Sequence, residues 1–253
     1  YVTIPDVVYK QGGKYLYKFK SRVRYSETDE TGCISLDAII NYLQDCTNFE
    51  SEYLGVGIEF LRKKHLMWVL NSWQIVISYY PSFGEIIETG TQSYGYDKMI
   101  GYRNFFITGE DGKTIVKANS NWVLMDTETG RPVVITPVIG DVYGKHEPLE
   151  MDYAPRKIKL PGIGGETGGF VVKEYHLDTN HHVNNGQYVR MAMFALGLKD
   201  KVKELRVEYK RQALLGNKII PVVYNDKGQS FVSLNGEDGK AYAIVQFIHN
   251  GEN

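Results

Sequence analysis

Cysteine is scarce in this sequence: Cys33 and Cys46 are the only two in 253 residues. Two thiols can build neither a disulfide framework nor a four-ligand structural zinc site, so a packed core must carry the fold. Such usage suits a reducing, cytoplasmic setting. Long apolar runs are missing too. None reaches the ~18–20 residues that cross a bilayer, so no membrane span is expected. The formal net charge is −1, which leaves no global field for nucleic acid. No signal-peptide pattern is visible at the N-terminus, although the chain begins at Tyr1 rather than Met. The glycines of 162–169 have no helix behind them, so no phosphate loop is evident. His176, His181 and His182 lack an acidic or cysteine companion at matching spacing, so neither a metal nor any other cofactor is expected.

What the chain has in quantity is aromatic. Nineteen tyrosines and ten phenylalanines favour β-structure around a large aromatic interior. Residues 1–13 read as a loose arm. Tyr15–Tyr25 then alternates, with Lys18, Lys20, Arg22 and Arg24 on one face and Tyr17, Phe19 and Val23 on the other. That is a half-buried strand whose basic face is either simply solvated or a dock for an acidic partner. A polar loop follows, with Ser35 and Asp37 as cap candidates. Helical spacing from Leu36 to Leu54 gives a buried stripe of Leu36, Ile39, Ile40, Leu43, Cys46, Tyr53 and Leu54. Met67–Tyr80, Glu85–Tyr96, Ile100–Thr108 and Thr114–Asp126 read as antiparallel strands wrapping that helix. Five of the eight prolines lie between 132 and 161, so that region reads as a linker crossing the surface.

The pattern then repeats. A strand over Phe170–Tyr175 and a polar loop lead to a helix over 186–196 closed by Gly197. Strands over Val202–Leu214, Ile219–Asn225, Phe231–Leu234 and Ala241–His249 follow. Asp29-Glu-Thr-Gly-Cys-Ile aligns with Asp178-Thr-Asn-His-His-Val, 149 residues later; Leu70–Gly84 aligns with Val202–Gly216, 132 residues later. The chain reads as a tandem duplication: an N-terminal module over 1–136, a linker over 137–169 and a C-terminal module over 170–253.

The chemistry concentrates in the second polar loop. In an extended chain, side chains two apart point the same way, so Asp178, Asn180 and His182 would converge. Asn184 and Asn185 are good N-caps for the helix behind them. Backbone N–H groups over Val183–Gly186 would then be oxyanion donors. The first module has Asp29 but carries Thr31 and Cys33 where Asn180 and His182 stand. Cys33, opening an apolar run, is expected to be a packed core thiol. His176 and His181 are expected to serve surface or packing, Asn184 capping, and Tyr188 helix packing.

Asp178-Thr-Asn-His-His-Val-Asn-Asn-Gly-Gln-Tyr188 resembles the D-x-N-x-H-V-N-N-x-x-Y signature of the acyl-acyl carrier protein (acyl-ACP) thioesterases of bacteria and plant plastids. Ser72–Gly84, Ala118–Met125 and Leu205–Ala213 resemble further segments of that family, and the resemblance covers about residues 14–250. It implies an α+β fold of two tandem hotdog modules, each a long helix wrapped by an antiparallel sheet. It implies hydrolysis of fatty acyl-ACP to free fatty acid and holo-ACP, with the acyl chain carried on a 4'-phosphopantetheine arm. Asp178, Asn180 and His182 match the family's catalytic positions. Its catalytic Glu falls on Gln212, which leaves that residue a supporting role, and its Cys falls on Ala213. The acyl chain is expected along the first helix, at Leu36, Ile39, Ile40 and Leu43. An acyl-CoA thioesterase of the same fold and a non-catalytic acyl-binding protein are the competing readings, and a homodimer is left open.

Overall fold

The computed structural model describes residues 7–11 and 14–250, with side chains from Leu16 onward. Part of the expected loose arm is therefore a strand: β1 (Val7–Gln11) pairs antiparallel with β2 (Lys14–Arg22). The rest of that arm lies outside the described residues. The helix α1 (Leu36–Tyr53) starts where Ser35 Oγ accepts the Ala38 N–H at 3.3 Å. After it come α2 (Ile58–Arg62), β3 (Leu66–Ile77), β4 (Ile86–Asp97), β5 (Ile100–Gly109), β6 (Thr114–Asp126) and the short α3 (Pro137–Gly140). Then follow β7 (Gly165–Glu166), β8 (Phe170–Val171), α4 (Asn185–Leu196), β9 (Val202–Tyr209), β10 (Lys218–Asp226), β11 (Gln229–Asn235) and β12 (Ala241–His249).

The chain divides into two compact units. Unit 1 comprises residues 1–71 and 78–153, unit 2 residues 72–77 and 154–253. In unit 1 the antiparallel order is β1-β2-β4-β5-β6, with α1 packed on β2 and β4. Leu36, Ile39, Ile40, Leu43 and Cys46 are all buried, as the helical spacing required. Each such side chain contributes roughly 1.5–3 kcal/mol of burial. Tyr53 departs from the stripe and is 60% exposed, whereas Glu50 is buried and pairs with the buried Arg103. In unit 2 residues 72–76 of β3 pair with β9, and the order continues β12-β11-β10-β7, with α4 packed on β10, β11 and β12. Gly197, at φ 61°, ends α4; that left-handed conformation is easiest for glycine.

The region read as a surface linker carries core residues. Ile135 and Ile139 pack with Leu124 in unit 1, and Ile158 packs with Phe231 and Ile244 in unit 2. Prolines break regular structure there without removing apolar side chains from the interior. The expected strand over Phe170–Tyr175 shortens to the two residues of β8, because Glu174–His176 coils into a 3-10 turn.

Candidate active site

Asp178 does not sit in an extended run. Leu177 bridges Val183, the Asp178 N–H donates to the His182 carbonyl at 2.7 Å, and the His181 N–H returns to the Asp178 carbonyl at 3.0 Å. The segment is a closed loop, with His181 in the left-handed region at φ 61°. Asp178 Oδ1 accepts the N–H groups of Asn180 at 2.8 Å and His182 at 3.2 Å. Short polar side chains that capture the backbone two residues on are what closes such turns. The alternation argument therefore fails in its geometry: the segment curls on itself instead of running extended. The Asn180 amide is exposed and the His182 ring half-buried, and neither side chain bonds another described residue.

The corresponding loop of unit 1 repeats this construction. Asp29 N–H donates to Cys33 O at 2.9 Å and Gly32 N–H returns to Asp29 O at 3.0 Å. Thr28 bridges Ile34, and Asp29 Oδ1 accepts the Thr31 N–H at 2.9 Å. Gly32, at φ 77°, takes the place of His181. Ser35 N–H reaches Glu27 O at 2.9 Å just as Asn184 N–H reaches His176 O at 2.8 Å. Every pair of positions is 149 apart. Cys33 itself is half-buried, with Ser82 Oγ 4.0 Å from its sulfur, rather than the core thiol expected.

Gln212 approaches through its neighbour. Val183 N–H donates to Ala213 O at 3.0 Å, and Ala213 N–H donates to the Tyr188 hydroxyl at 2.9 Å. Two hydrogen bonds thus pin the residue after Gln212 to the loop and to α4, while the Gln212 side chain stays exposed. Tyr188 is more than packing: burial pushes its hydroxyl up to about 12, so it holds its proton and serves as a neutral anchor. The expected oxyanion donors are mostly spent. Val183, Asn184 and Gly186 N–H bond Ala213 O, His176 O and Asn184 Oδ1. Asn184 is the cap it was read to be. His176 is structural: its Nδ1 accepts the Lys173 N–H at 3.0 Å, and burial, with Lys173 nearby, lowers its pKa.

In unit 1 a cleft of about 500 Å³, counting its open mouth, lies beside the C-terminal half of α1. Thr47, Asn48 and Ser51 line it; Leu36, Ile39, Ile40 and Leu43 do not. Sequence reasoning missed Trp68, Arg103 and Tyr143 in its walls. The available signal was a charged residue, Arg103, inside an otherwise uncharged strand.

A helix held by an antiparallel sheet, built twice with one loop design, defines a tandem hotdog protein. Family models describing the acyl-ACP thioesterase N-terminal and C-terminal domains match residues 14–143 and 165–247. The chain belongs to the acyl-ACP thioesterase family. It is 27% identical over 210 residues to a chloroplastic palmitoyl-acyl carrier protein thioesterase of Arabidopsis thaliana, covering 75% of this chain and 50% of that protein. Identity is 30% over 193 residues with oleoyl-acyl carrier protein thioesterase 1 of the same plant, covering 68% of this chain and 52% of that protein. This chain thus spans about half the length of these two relatives. An acyl-ACP thioesterase of Bacteroides thetaiotaomicron shares its fold at TM-score 0.83 and 20% identity, over 92% of this chain and 97% of that one. The 12:0-ACP thioesterase of Umbellularia californica does so at 0.81 and 20%, over 92% and 96%. Among the described residues, no helix is long and apolar enough to cross a membrane.

Proposed function

We propose that this chain hydrolyses the thioester of fatty acyl-ACP, releasing free fatty acid and holo-ACP. One juxtaposition carries the reading: the curled Asp178–Val183 loop presents an uncommitted imidazole and amide beside the segment holding Gln212. A thioester is already activated, and a thiol of pKa ~8.5 leaves without strong acid help. The site must supply a held water, a base and a donor for the oxyanion. His182 takes a proton from the attacking water as its oxygen bonds the carbonyl carbon. The C–S bond then breaks, and the proton goes to the departing thiolate. Asp178 Oδ1 is committed to the loop, so its second oxygen orients the water. Asn180 donates to the carbonyl oxygen, a task the spent N–H groups of Val183, Asn184 and Gly186 leave to it. Gln212 supports the water and is neither base nor nucleophile.

In this reading residues 1–136 hold the acyl chain with Tyr143 of the segment 137–169 closing one wall, that segment connects the modules, and 170–253 carry the chemistry. Leu36, Ile39, Ile40 and Leu43 anchor α1, and the unit 1 cleft takes the chain. The exposed Lys20, Arg22 and Arg24 of and beside β2 form the dock for the acidic carrier protein. The compartment is cytoplasmic; no disulfide joins Cys33 and Cys46. Thiol release from a panel of acyl-ACPs and acyl-CoAs tests the proposal. Acyl-ACPs should be cleaved, and His182→Ala should lose roughly 10²-fold or more in turnover. A folded His182→Ala with near-normal turnover, or cleavage confined to acyl-CoAs, overturns it.

A further inference from the structure

We infer that Tyr188 is a positioning residue for Asp178: its hydroxyl hydrogen, through a bridging water, holds the carboxylate oxygen that the loop leaves free. This role rests on the thioesterase reading and adds a residue to its machinery. The two units differ at one corner. Val183 N–H donates to Ala213 O at 3.0 Å, and in the matching corner of unit 1 Ile34 N–H donates to Pro81 O at 2.8 Å. There Ile39 stands where Tyr188 stands and Pro81 where Ala213 stands, at the same offsets of 149 and 132. Proline has no N–H to satisfy, and Ile39 is a buried apolar side chain. Unit 1 thus closes the corner without a hydroxyl. Unit 2 places a tyrosine hydroxyl there, 2.9 Å from the Ala213 N–H that donates to it. Folding does not require that pair, so the hydroxyl is free to answer to something else.

A hydroxyl has one hydrogen to donate and two lone pairs that accept. The Ala213 N–H fills one lone pair of Tyr188 and leaves its hydrogen untouched. That hydrogen meets no acceptor among the described residues, although Tyr188 is only 3% exposed. A buried donor without an acceptor is costly. Asp178 presents the complement. Its Oδ1 takes both loop N–H groups, and Oδ2 takes none. The two side chains sit close in the hydrogen-bond network. Tyr188 bonds Ala213, Ala213 bonds Val183, and Val183 bridges Leu177, the residue before Asp178. Burial pushes the Tyr188 hydroxyl up to about 12, and the Asp178 charge adds to the rise. A gap too long for a direct bond is closed by one water with a hydrogen bond at each end. Another lone pair of Oδ2 then orients the attacking water, and Tyr188 keeps its proton throughout.

Thiol release from acyl-ACP and thermal melting of the full chain test this together. The double variant Tyr188→Ile, Ala213→Pro carries the unit 1 solution into unit 2. It should melt close to the wild type, with kcat down roughly tenfold or more and KM unchanged. Should it fail to fold, Tyr188→Phe carries the test. Alone, Tyr188→Phe should lower kcat to the same extent. Beside Asp178→Asn, which has no free carboxylate oxygen, it should cost about twofold or less. The Ala213 N–H is stranded in both backgrounds, so that damage cancels. The role is refuted if the folded double variant keeps wild-type kcat, or if Tyr188→Phe costs as much beside Asp178→Asn as it does alone. Either result leaves thiol release by the wild type standing and sinks the role of Tyr188 alone. A wild type that releases no thiol from any acyl-ACP overturns the thioesterase reading and the role of Tyr188 with it.

Discussion

Asp178 has two separable jobs, and the duplicated loop allows each to be measured. Asp178→Ala removes an oxygen that accepts two N–H groups, at 2.8 and 3.2 Å. Asp29→Ala does the matching damage in unit 1, where Oδ1 accepts the Thr31 N–H at 2.9 Å and the Thr31 hydroxyl at 2.6 Å. Both loops are partly exposed, so each variant should lose about 1–2 kcal/mol. For a chain of this size that is a fall of roughly 2–8 °C in melting temperature. Turnover should part company with stability. Asp29→Ala should keep near-normal thiol release well below its melting point, while Asp178→Ala should lose roughly 10²-fold. Asp178→Asn sharpens the contrast, because its amide oxygen can accept both N–H groups. It should melt like the wild type yet release thiol slowly. Should Asp178→Asn match the wild type in both assays, the carboxylate is only a loop tie and the assignment of the water to it is wrong.

Three other perturbations have defined outcomes. Burial holds the Glu50 carboxyl above its ordinary value of 4.5, with Arg103 opposing. A raised folded value contributes stability that is fully present below the unfolded value and lost as pH rises through the folded one. The stability of wild type minus Glu50→Gln should therefore fall as pH rises from 4.5, and a difference that grows in denaturant melts would contradict burial as the dominant cause. Gln212→Ala should retain measurable thiol release and Gln212→Glu should raise it; an acylated Gln212 trapped for mass spectrometry would refute the direct attack of water. Asn48→Trp, at the exposed side of the cleft, should shorten the preferred acyl chain. Ile40→Trp should instead overpack the core at about 1–3 kcal/mol, with the chain-length profile unchanged; a shortened profile in a stable Ile40→Trp would return the acyl chain to the apolar stripe.

Periodicity revealed most of the fold because apolar burial is periodic. The stripe from Leu36 to Cys46 and the strand over Ala241–His249 follow directly from side-chain direction in helix and strand. The repeat was legible too, since aligned residues in the two halves make aligned hydrogen bonds. Val23 exchanges with Gly84 and Glu85 as Val172 does with Gly216 and Asn217. What periodicity does not encode is a neutralised charge. Glu50 lies on the buried face of α1 only because Arg103, distant in sequence, meets it there. The local geometry of the candidate site was hidden for a related reason. Alternating polar residues fit an extended chain as well as a curled one, and the choice rests on where Asp178 places its carboxylate.

That same choice gives the identity of Asn180 and His182 its weight. The loop is closed by one aspartate side chain and by backbone groups; the positions two and four residues on contribute only their N–H and C=O to it. In unit 1 those positions hold Thr31, whose hydroxyl adds a bond to Asp29 Oδ1, and Cys33, and the loop closes with matching backbone bonds. Folding therefore places little demand on which side chains stand there. A residue type that folding leaves open is free to answer to chemistry, so an amide and an imidazole two residues apart on one loop support catalysis more strongly than the loop itself does. Asp178 is the opposite case: the fold alone would account for it, as it accounts for Asp29. The inference from residue to role is accordingly strongest at His182, where proton transfer from water is placed, and it reaches Asp178 only through the difference between its two oxygens.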